Sequence, residues 1–331
     1  MKERVLITGA SGFVGYHLIL EALKNNLEVF AAVRKTSKTD HLKHLDIQYD
    51  YIEFDDKEIL KKHLQVKQYH YIIHAAGATR ARSASEYNQI NAEYTVNLAQ
   101  AAITSGDNFK KFVFISSLAA IGPLHHLNDA ITEESVPQPV TAYGRSKLLA
   151  EDQLKKIENL NYTILRPTAV YGPRDKDIFI FLKQVAKGIE PYIGHIEQQL
   201  SFIYVNDLAK ATLLALHTGN KNSYNLADGK FYNRYELANI TRKLLKVKTL
   251  KFHIPVKFVK MIAFISEKVG SLSNKAPVIN IEKLNELKAV NWSCSIEKAK
   301  HELNFNPAYD LQTGLTETLS WYKTNNWLKN K

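Results

Sequence analysis

Residues 6–18 read LITGASGFVGYHL. A short apolar run of strand character ends in three glycines, Gly9, Gly12 and Gly15, and passes into a helical pattern (GYHLILEALKNN, 15–26). Glycines at such a junction let the backbone approach a ligand closely, and the helix that follows offers free N–H groups to an anion. A dinucleotide pyrophosphate fits that description. The spacing is GxxGxxG, and its place between the first strand and the first helix gives it more weight than the glycines carry alone.

Outward from that junction, strand and helix patterns alternate. RVLIT (4–8), EVFAAVR (28–34), YDYIEF (49–54), YHYIIHAA (69–76), KFVFISS (111–117) and YTILRP (162–167) read as strands. Helical stretches such as INAEYTVNLAQAAITSG (90–106) lie between them. This alternation predicts an α/β fold, a doubly wound parallel sheet covered on both faces. Beyond Pro173 it weakens. A helix near 177–188, a strand pair from SFIYV and SYNLA, and further helices predict a smaller mixed lobe. The expected division is a dinucleotide-binding domain over 1–175 and a substrate lobe over 176–331, with about 201–217 returning to the first domain.

The end of the second strand bears on which dinucleotide. An acid there suits the ribose 2′-hydroxyl of NAD, and an arginine suits the 2′-phosphate of NADP. Arg34 stands nineteen residues after Gly15, with Lys35 beside it and Lys38 close by, so NADP is expected and NAD is the alternative. Asp55 either meets the adenine amino group or caps the next helix. Ala75, Ala76 and Gly77 are small enough for a cofactor to lie against them, and His74 reads as a packed strand-end histidine.

In TAYGRSKLLAE (141–151), Tyr143 and Lys147 are four residues apart, on one face of a helix. A tyrosine acting as a base near neutrality needs its pKa lowered by about 3 units, or ~4 kcal/mol. One ammonium about 4 Å away at an effective dielectric of ~20 supplies roughly that. Tyr143 is therefore the expected proton donor or acceptor and Lys147 its tuner. Ser117, at the carboxyl edge of the fifth strand, is expected to polarise the substrate oxygen.

Taken in order, TGASGFVG, HAAG, ISS, YGRSK and RPTAVYGP resemble the extended short-chain dehydrogenase/reductases, the NAD(P)-dependent epimerase/dehydratase family. SFIYVNDLA (201–209) and SIEKAKHELNFNP (295–307) extend the likeness over most of the chain. The resemblance implies a dinucleotide across the sheet, with Ser11, Phe13 and Val14 beside the glycines, and transfer of the 4-pro-S hydride while Tyr143 moves the proton. It also implies that Asn91 shapes the active-site helix, that Pro167 and Val170 meet the nicotinamide amide, and that the chain forms a homodimer through helices near 86–105 and 143–158. Tyr94 stands where the family motif has glycine.

AAVRKTSKTDHLKHL (31–45) is similar to the dihydroflavonol-reductase-like branch, which implies hydride transfer between NADP(H) and a carbonyl or secondary alcohol. A nucleoside-diphosphate-sugar epimerase with tightly held NAD is the alternative, and a non-catalytic dinucleotide sensor is a third reading. Leu118 and Ala119 replace the acid pair that family dehydratases carry. The family arginine ahead of the FIYV strand is replaced near Leu200. Thr79, Arg80 and Arg174 remain as candidate substrate contacts, with Arg82 nearby.

Composition narrows the classes. The formal net charge is +11, but the lysine pairs Lys61-Lys62, Lys110-Lys111 and Lys155-Lys156 are dispersed, so nucleic-acid binding is not expected. The single cysteine, Cys294, allows no internal disulfide, and a cytoplasmic setting is expected. His125 and His126 lack further ligands at metal spacing, and no metal is expected. IPVKFVKMIAFISEKVG (254–270) could lie on an anionic membrane. Cover over the cleft or packing within the lobe is the reading preferred here, and membrane contact is not expected.

Overall fold

The computed structural model describes residues 2–273 and 280–328, without the side chains of 267–273. Strands and helices are numbered in chain order. The central sheet holds β1 (Arg4–Thr8), β2 (Glu28–Ala32), β3 (Gln48–Asp50), β4 (Tyr71–His74), β5 (Lys111–Ile115), β6 (Tyr162–Pro167) and β11 (Asn222–Leu226). Their order is β11-β6-β5-β4-β1-β2-β3, and every pairing is parallel. The order reverses beside β1, the switch point where such sheets open a crevice for ligands.

Both faces of the sheet are buried, which explains the near-continuous apolar runs in its strands. Val5 and Ile7 point to one face and pack with Leu18, Ile19 and Leu208. They lie under α1 (Phe13–Lys24) and α7 (Val205–Leu214). Leu6, between them in sequence, joins Ile72, Phe112, Leu64, Leu98 and Leu154 on the other face. There α2 (Lys57–Lys67), α4 (Tyr94–Ile103) and α5 (Ala142–Lys155) cover it. The short α3 (Ala84–Asn88) leads through a π-helical turn, Gln89–Glu93, into α4.

Several strands end earlier than the sequence pattern suggests. β2 stops at Ala32, β4 at His74 and β5 at Ile115. Val33 and Ser116 each keep one more bond to the neighbouring strand, to Asp50 O and Leu165 O, before the chain forms loops at the carboxyl edge. SFIYV and SYNLA do not pair with each other as expected. β10 (Phe202–Tyr204) pairs with β7 (Ala169–Tyr171), and β11 pairs with β6, where Tyr224 and Leu226 enter the main core.

The remaining elements form a second cluster. α6 (Asp177–Ala186), α8 (Glu236–Leu245) and α12 (Leu311–Thr324) pack around Tyr171, Leu182, Phe202, Leu315 and Tyr322. β8 (Ile189–Ile193) pairs with β13 (Leu250–Ile254), while β9 (Gln199–Leu200) lies between β12 (Tyr232–Asn233) and β14 (Asn291–Trp292). α10 (Ile281–Lys288) and α11 (Glu297–Leu303) complete the chain order around α9 (Val256–Ser273). Among the described side chains of α9, a narrow stripe, Val259 and Ala263, is buried, and there the helix packs by one edge. Its last residues, 267–270 of the apolar stretch, lie outside the described side chains.

One buried ion pair ties α5 to the sheet. Arg166 on β6 grips Glu151 on α5 through both carboxylate oxygens, at 2.5–3.0 Å, and Ser116 donates to the same carboxylate at 2.5 Å. Glu151 is fully buried and Arg166 nearly so. Removing one partner strands the other charge in the interior. Glu151→Ala should therefore cost about 3–5 kcal/mol of unfolding free energy, measured by urea titration. A loss below about 1 kcal/mol, the value of an exposed pair, would contradict the assignment.

Candidate functional site

The glycine loop is built for close approach. Gly9 has φ +68°, and a Cβ there would fall 2.6 Å from the Ala75 carbonyl oxygen. A Cβ on Gly15 would fall 2.2 Å from the Gly9 carbonyl oxygen, so α1 can meet the loop only through glycine. Gly12 caps α1 with no side chain over the first turn, where Phe13 and Val14 begin the helix. Its own N–H donates to Gly9 O at 2.9 Å. Ser11 lies between, half-buried. This cradle suits a pyrophosphate, because Gly12 leaves the first-turn amides of α1 without a side-chain cap.

Arg34 and Lys35 follow β2 and are both exposed. The Arg34 N–H donates to Ser37 Oγ at 3.1 Å, and Ser37 N–H returns a bond to Arg34 O at 2.8 Å, folding a tight turn that leaves the guanidinium outside. Among the described residues no ion pair engages it. Asp55 is exposed and does not cap α2. Asp56 does, accepting from Glu58 and Ile59 N–H at 3.0 and 2.9 Å.

A chain of hydrogen bonds runs from the sheet to the site. Thr8 Oγ1 accepts from Ala76 N–H at 3.0 Å and meets His74 Nδ1 at 2.8 Å. His74 Nε2 meets Thr95 Oγ1 at 3.0 Å, and Thr95 donates to Asn91 O at 2.8 Å. Burial, with Lys147 adding to it, pushes His74 down to about 3, so the imidazole is neutral and structural. Asn91 sits in the π-helical turn, an irregularity that recurs at functional sites. Its Oδ1 accepts from Ala78 N–H at 2.7 Å, and its Nδ2 donates to Ala78 O and to Ser146 Oγ. Ser146 in turn donates to Tyr143 O at 2.8 Å. Tyr94, one turn on, stacks against Phe54.

The structure brings Ser117, Tyr143, Lys147, Asn91 and Gly77 together. Thr141 caps α5, so Tyr143 lies in the first turn, where its hydroxyl hydrogen-bonds with Ser117. Gly144 makes this possible, since a Cβ there would lie 2.2 Å from the Ala119 carbonyl oxygen. The Lys147 ammonium donates to Ile115 O at 2.9 Å and lies 4.6 Å from the Phe114 ring centre. A Cβ on Gly77 would sit 3.0 Å from Asn91 Oδ1 and 3.3 Å from Lys147 Nζ. Pro167 closes β6, and Val170, half-buried, follows on β7 across a bond from Thr168 N–H to Leu226 O.

The electrostatics differ from the sequence expectation. Burial pushes the Tyr143 phenol up to about 12, and the Ser117 hydrogen bond only partly offsets it. Glu286 and Tyr87 act in the same direction as burial, and the Lys147 ammonium is engaged by the Ile115 carbonyl and the Phe114 ring. Burial also pushes Lys147 down to about 8, with Glu151 opposing.

Of the candidate substrate contacts, Thr79 is joined to the cluster: its carbonyl accepts from Tyr87, whose ring meets Tyr143 edge-on at 6.3 Å. Arg80 pairs with Asp177 at 2.8 Å, and Arg174 lies 4.4 Å over the Tyr16 ring. Arg82, just ahead of α3, pairs with Glu86 on that helix. Sequence reasoning passed over Gly144, Ser146, Glu151 and Arg166. A glycine inside the first turn of α5 was the available signal for the first of these.

The family model of the NAD dependent epimerase/dehydratase family matches residues 5–227. A putative UDP-glucose 4-epimerase of Methanocaldococcus jannaschii is 27% identical, covering 97% of this chain and 99% of its own length. A ceramide reductase of Caulobacter vibrioides is 24% identical over 98% of this chain and 96% of its own. The crystal structure of a Thermotoga maritima UDP-glucose 4-epimerase with UDP-glucose superposes with a TM-score of 0.80 at 21% identity, covering 98% and 99% of the two chains.

The depressed lysine pKa carries a stability signature. Between pH 8 and about 10.4 the folded chain binds fewer protons at Lys147 than the unfolded chain does, so stability rises with pH across that window. Lys111, also pushed down to about 8, contributes in the same sense. Lys147→Met should therefore shrink the rise in urea-unfolding free energy from pH 8 to pH 10 by about 2 kcal/mol. An undiminished rise would show that Lys147 titrates as an exposed amine.

Proposed function

The chain belongs to the NAD dependent epimerase/dehydratase family and is an enzyme of the extended short-chain dehydrogenase/reductase type, and on that premise we propose that it is an NADP-dependent reductase of a carbonyl, or dehydrogenase of the corresponding secondary alcohol. The observation that carries the choice of substrate lies ahead of β10. Leu200 is packed in the lobe, and the amides of Gln198 and Gln199 are held by Leu287 O, Ala289 O and Ser293 Oγ. Arg234, next to the strand that pairs with β9, gives its guanidinium to the carbonyls of Ile193, Gly194 and Ile196. Among the described residues a substrate diphosphate would meet there one arginine whose terminal nitrogens are already given to backbone carbonyls, its Nε alone lacking a partner, so a less charged substrate is preferred.

In this reading Gly9, Ser11, Gly12, Phe13, Val14 and Gly15 hold the pyrophosphate, and Arg34 and Lys35 meet the 2′-phosphate. Ala75, Ala76, Gly77, Pro167 and Val170 provide backbone and apolar contact, and Asp55 stands by the adenine side. A bound dinucleotide supplies or accepts the hydride. Tyr143, held protonated well above neutral pH, gives its proton to the developing alkoxide. Ser117 donates a second hydrogen bond to that oxygen. Lys147 donates to hydroxyls at the Gly77 edge, and Asn91 keeps α5 and the Ala78 loop in register. The working division is a dinucleotide lobe of 1–175 with α7 and β11 returning to it, and a substrate lobe from the rest of 176–331. The second reading is a nucleotide-sugar epimerase with tightly held NAD; the relative named a putative UDP-glucose 4-epimerase favours the epimerase part of it.

A homodimer through α4 and α5 also belongs to the proposal, since Leu149 and Ile103 are exposed apolar residues on those helices. Sedimentation at one monomer mass would remove it.

The test is to denature the purified protein, identify any released dinucleotide, and follow NADPH and NADH oxidation with ketones and aldehydes. NADPH should be consumed. Tyr143→Phe should cut turnover by about 10²–10⁴ without changing cofactor affinity. Arg34→Glu should weaken NADPH about tenfold or more and NADH far less. Released NAD, no net oxidation and interconversion of a nucleotide sugar would replace this reading with the epimerase.

A further inference from the structure

The face of α9 opposite its buried stripe is apolar. Phe258, Met261, Ile262 and Ile265 are 58%, 53%, 51% and 52% exposed, where a helix on a water-facing surface places polar groups. The apolar surface extends onto the strand before it: Leu250 is 71% exposed and pairs with Ile189, itself 40% exposed, with Phe252 beyond.

The stretch of chain that carries this surface is cationic between Glu236 and Glu267. From residue 237 to 266 the chain carries Arg242, Lys243, Lys246, Lys248, Lys251, Lys257 and Lys260, seven cations, and no aspartate or glutamate. An open recess of about 740 Å³ is lined by Asn239, Arg242, Lys243, Val247, Lys248 and Thr249. It ends at the residue before Leu250. Glu190, wholly buried, approaches Arg242 at 3.8 Å from the interior and neutralises little of the outer surface.

We propose that this surface seats the enzyme on an anionic lipid bilayer. Phe258, Met261, Ile262, Ile265 and Leu250 enter the interface, and Arg242, Lys243 and Lys248 meet headgroup phosphates. A second copy of the chain is a poor occupant, because it would set seven cations against seven. An exposed apolar helix face in a cation-rich stretch instead matches a broad, negatively charged, deformable surface.

Flotation of the full chain with vesicles tests this. Vesicles of phosphatidylcholine with about 30% phosphatidylserine should bind at least about tenfold more protein than phosphatidylcholine alone, and salt should reverse the gain. The triple variant Phe258→Ser, Ile262→Ser, Ile265→Ser and the triple variant Arg242→Glu, Lys243→Glu, Lys248→Glu should each lower binding about tenfold, while both titrate dinucleotide fluorescence as the unaltered chain does. Equal binding to the two vesicle types, or an apolar variant that floats like the unaltered chain, would overturn the proposal. Absence of flotation together with an oligomer that the apolar variant dissociates would assign the face to a second copy.

Discussion

The site depends on a salt bridge that never meets solvent. Glu151 and Arg166 pair through two carboxylate oxygens, with Ser116 as a third partner, between α5 and strands β5 and β6. Burying two charges is costly, and the arrangement holds because the geometry is bidentate and the carboxylate is fully engaged. α5 is thereby fixed in rotation and depth, one turn past Lys147 and two past Tyr143. Ser116 anchors the helix from below, while its neighbour Ser117 faces the tyrosine. Two adjacent serines thus perform different work, because the extended backbone just past β5 turns successive side chains in opposite directions.

Around that anchor, small residues set the distances. Gly144 lets α5 close on the turn after Ser117, Gly77 leaves space between Asn91 and Lys147, and Gly9 and Gly15 bring the first helix to the loop. At each of these positions a Cβ would meet a carbonyl oxygen or a site side chain. The electrostatic result is a tyrosine kept protonated by burial and a lysine whose charge is weakened by the same burial. That balance suits delivery of a proton more than its removal, which is consistent with carbonyl reduction as the proposed direction.

Much of the sheet was legible in the sequence, because each strand of a sheet buried on both faces reads as an apolar run and each is followed by a helix. The glycine loop and the YGRSK segment stood out for a different reason: the chemistry proposed for them requires those residues at fixed spacing. Asp56 rather than Asp55 caps α2, a one-residue difference that depends on the exact start of the helix. β11 was assigned to the wrong neighbour, since an apolar strand does not state its partner. The direction of the Tyr143 shift was also hidden: spacing places a lysine one turn away, but only the fold shows the ammonium drawn to Ile115 O. The outer face of α9 was read as packing, because its apolar residues look the same whether covered or exposed.

The most direct measurement of the central claim, that a dinucleotide at the glycine loop serves the Ser117–Tyr143–Lys147 cluster, is isotope transfer. NADPH deuterated at the pro-S position of nicotinamide C4 would be turned over with a reduced-in-screen ketone and the product analysed by mass spectrometry. Deuterium on the carbinol carbon of the product is the predicted result. Product free of deuterium, with the label retained on the cofactor, would contradict it.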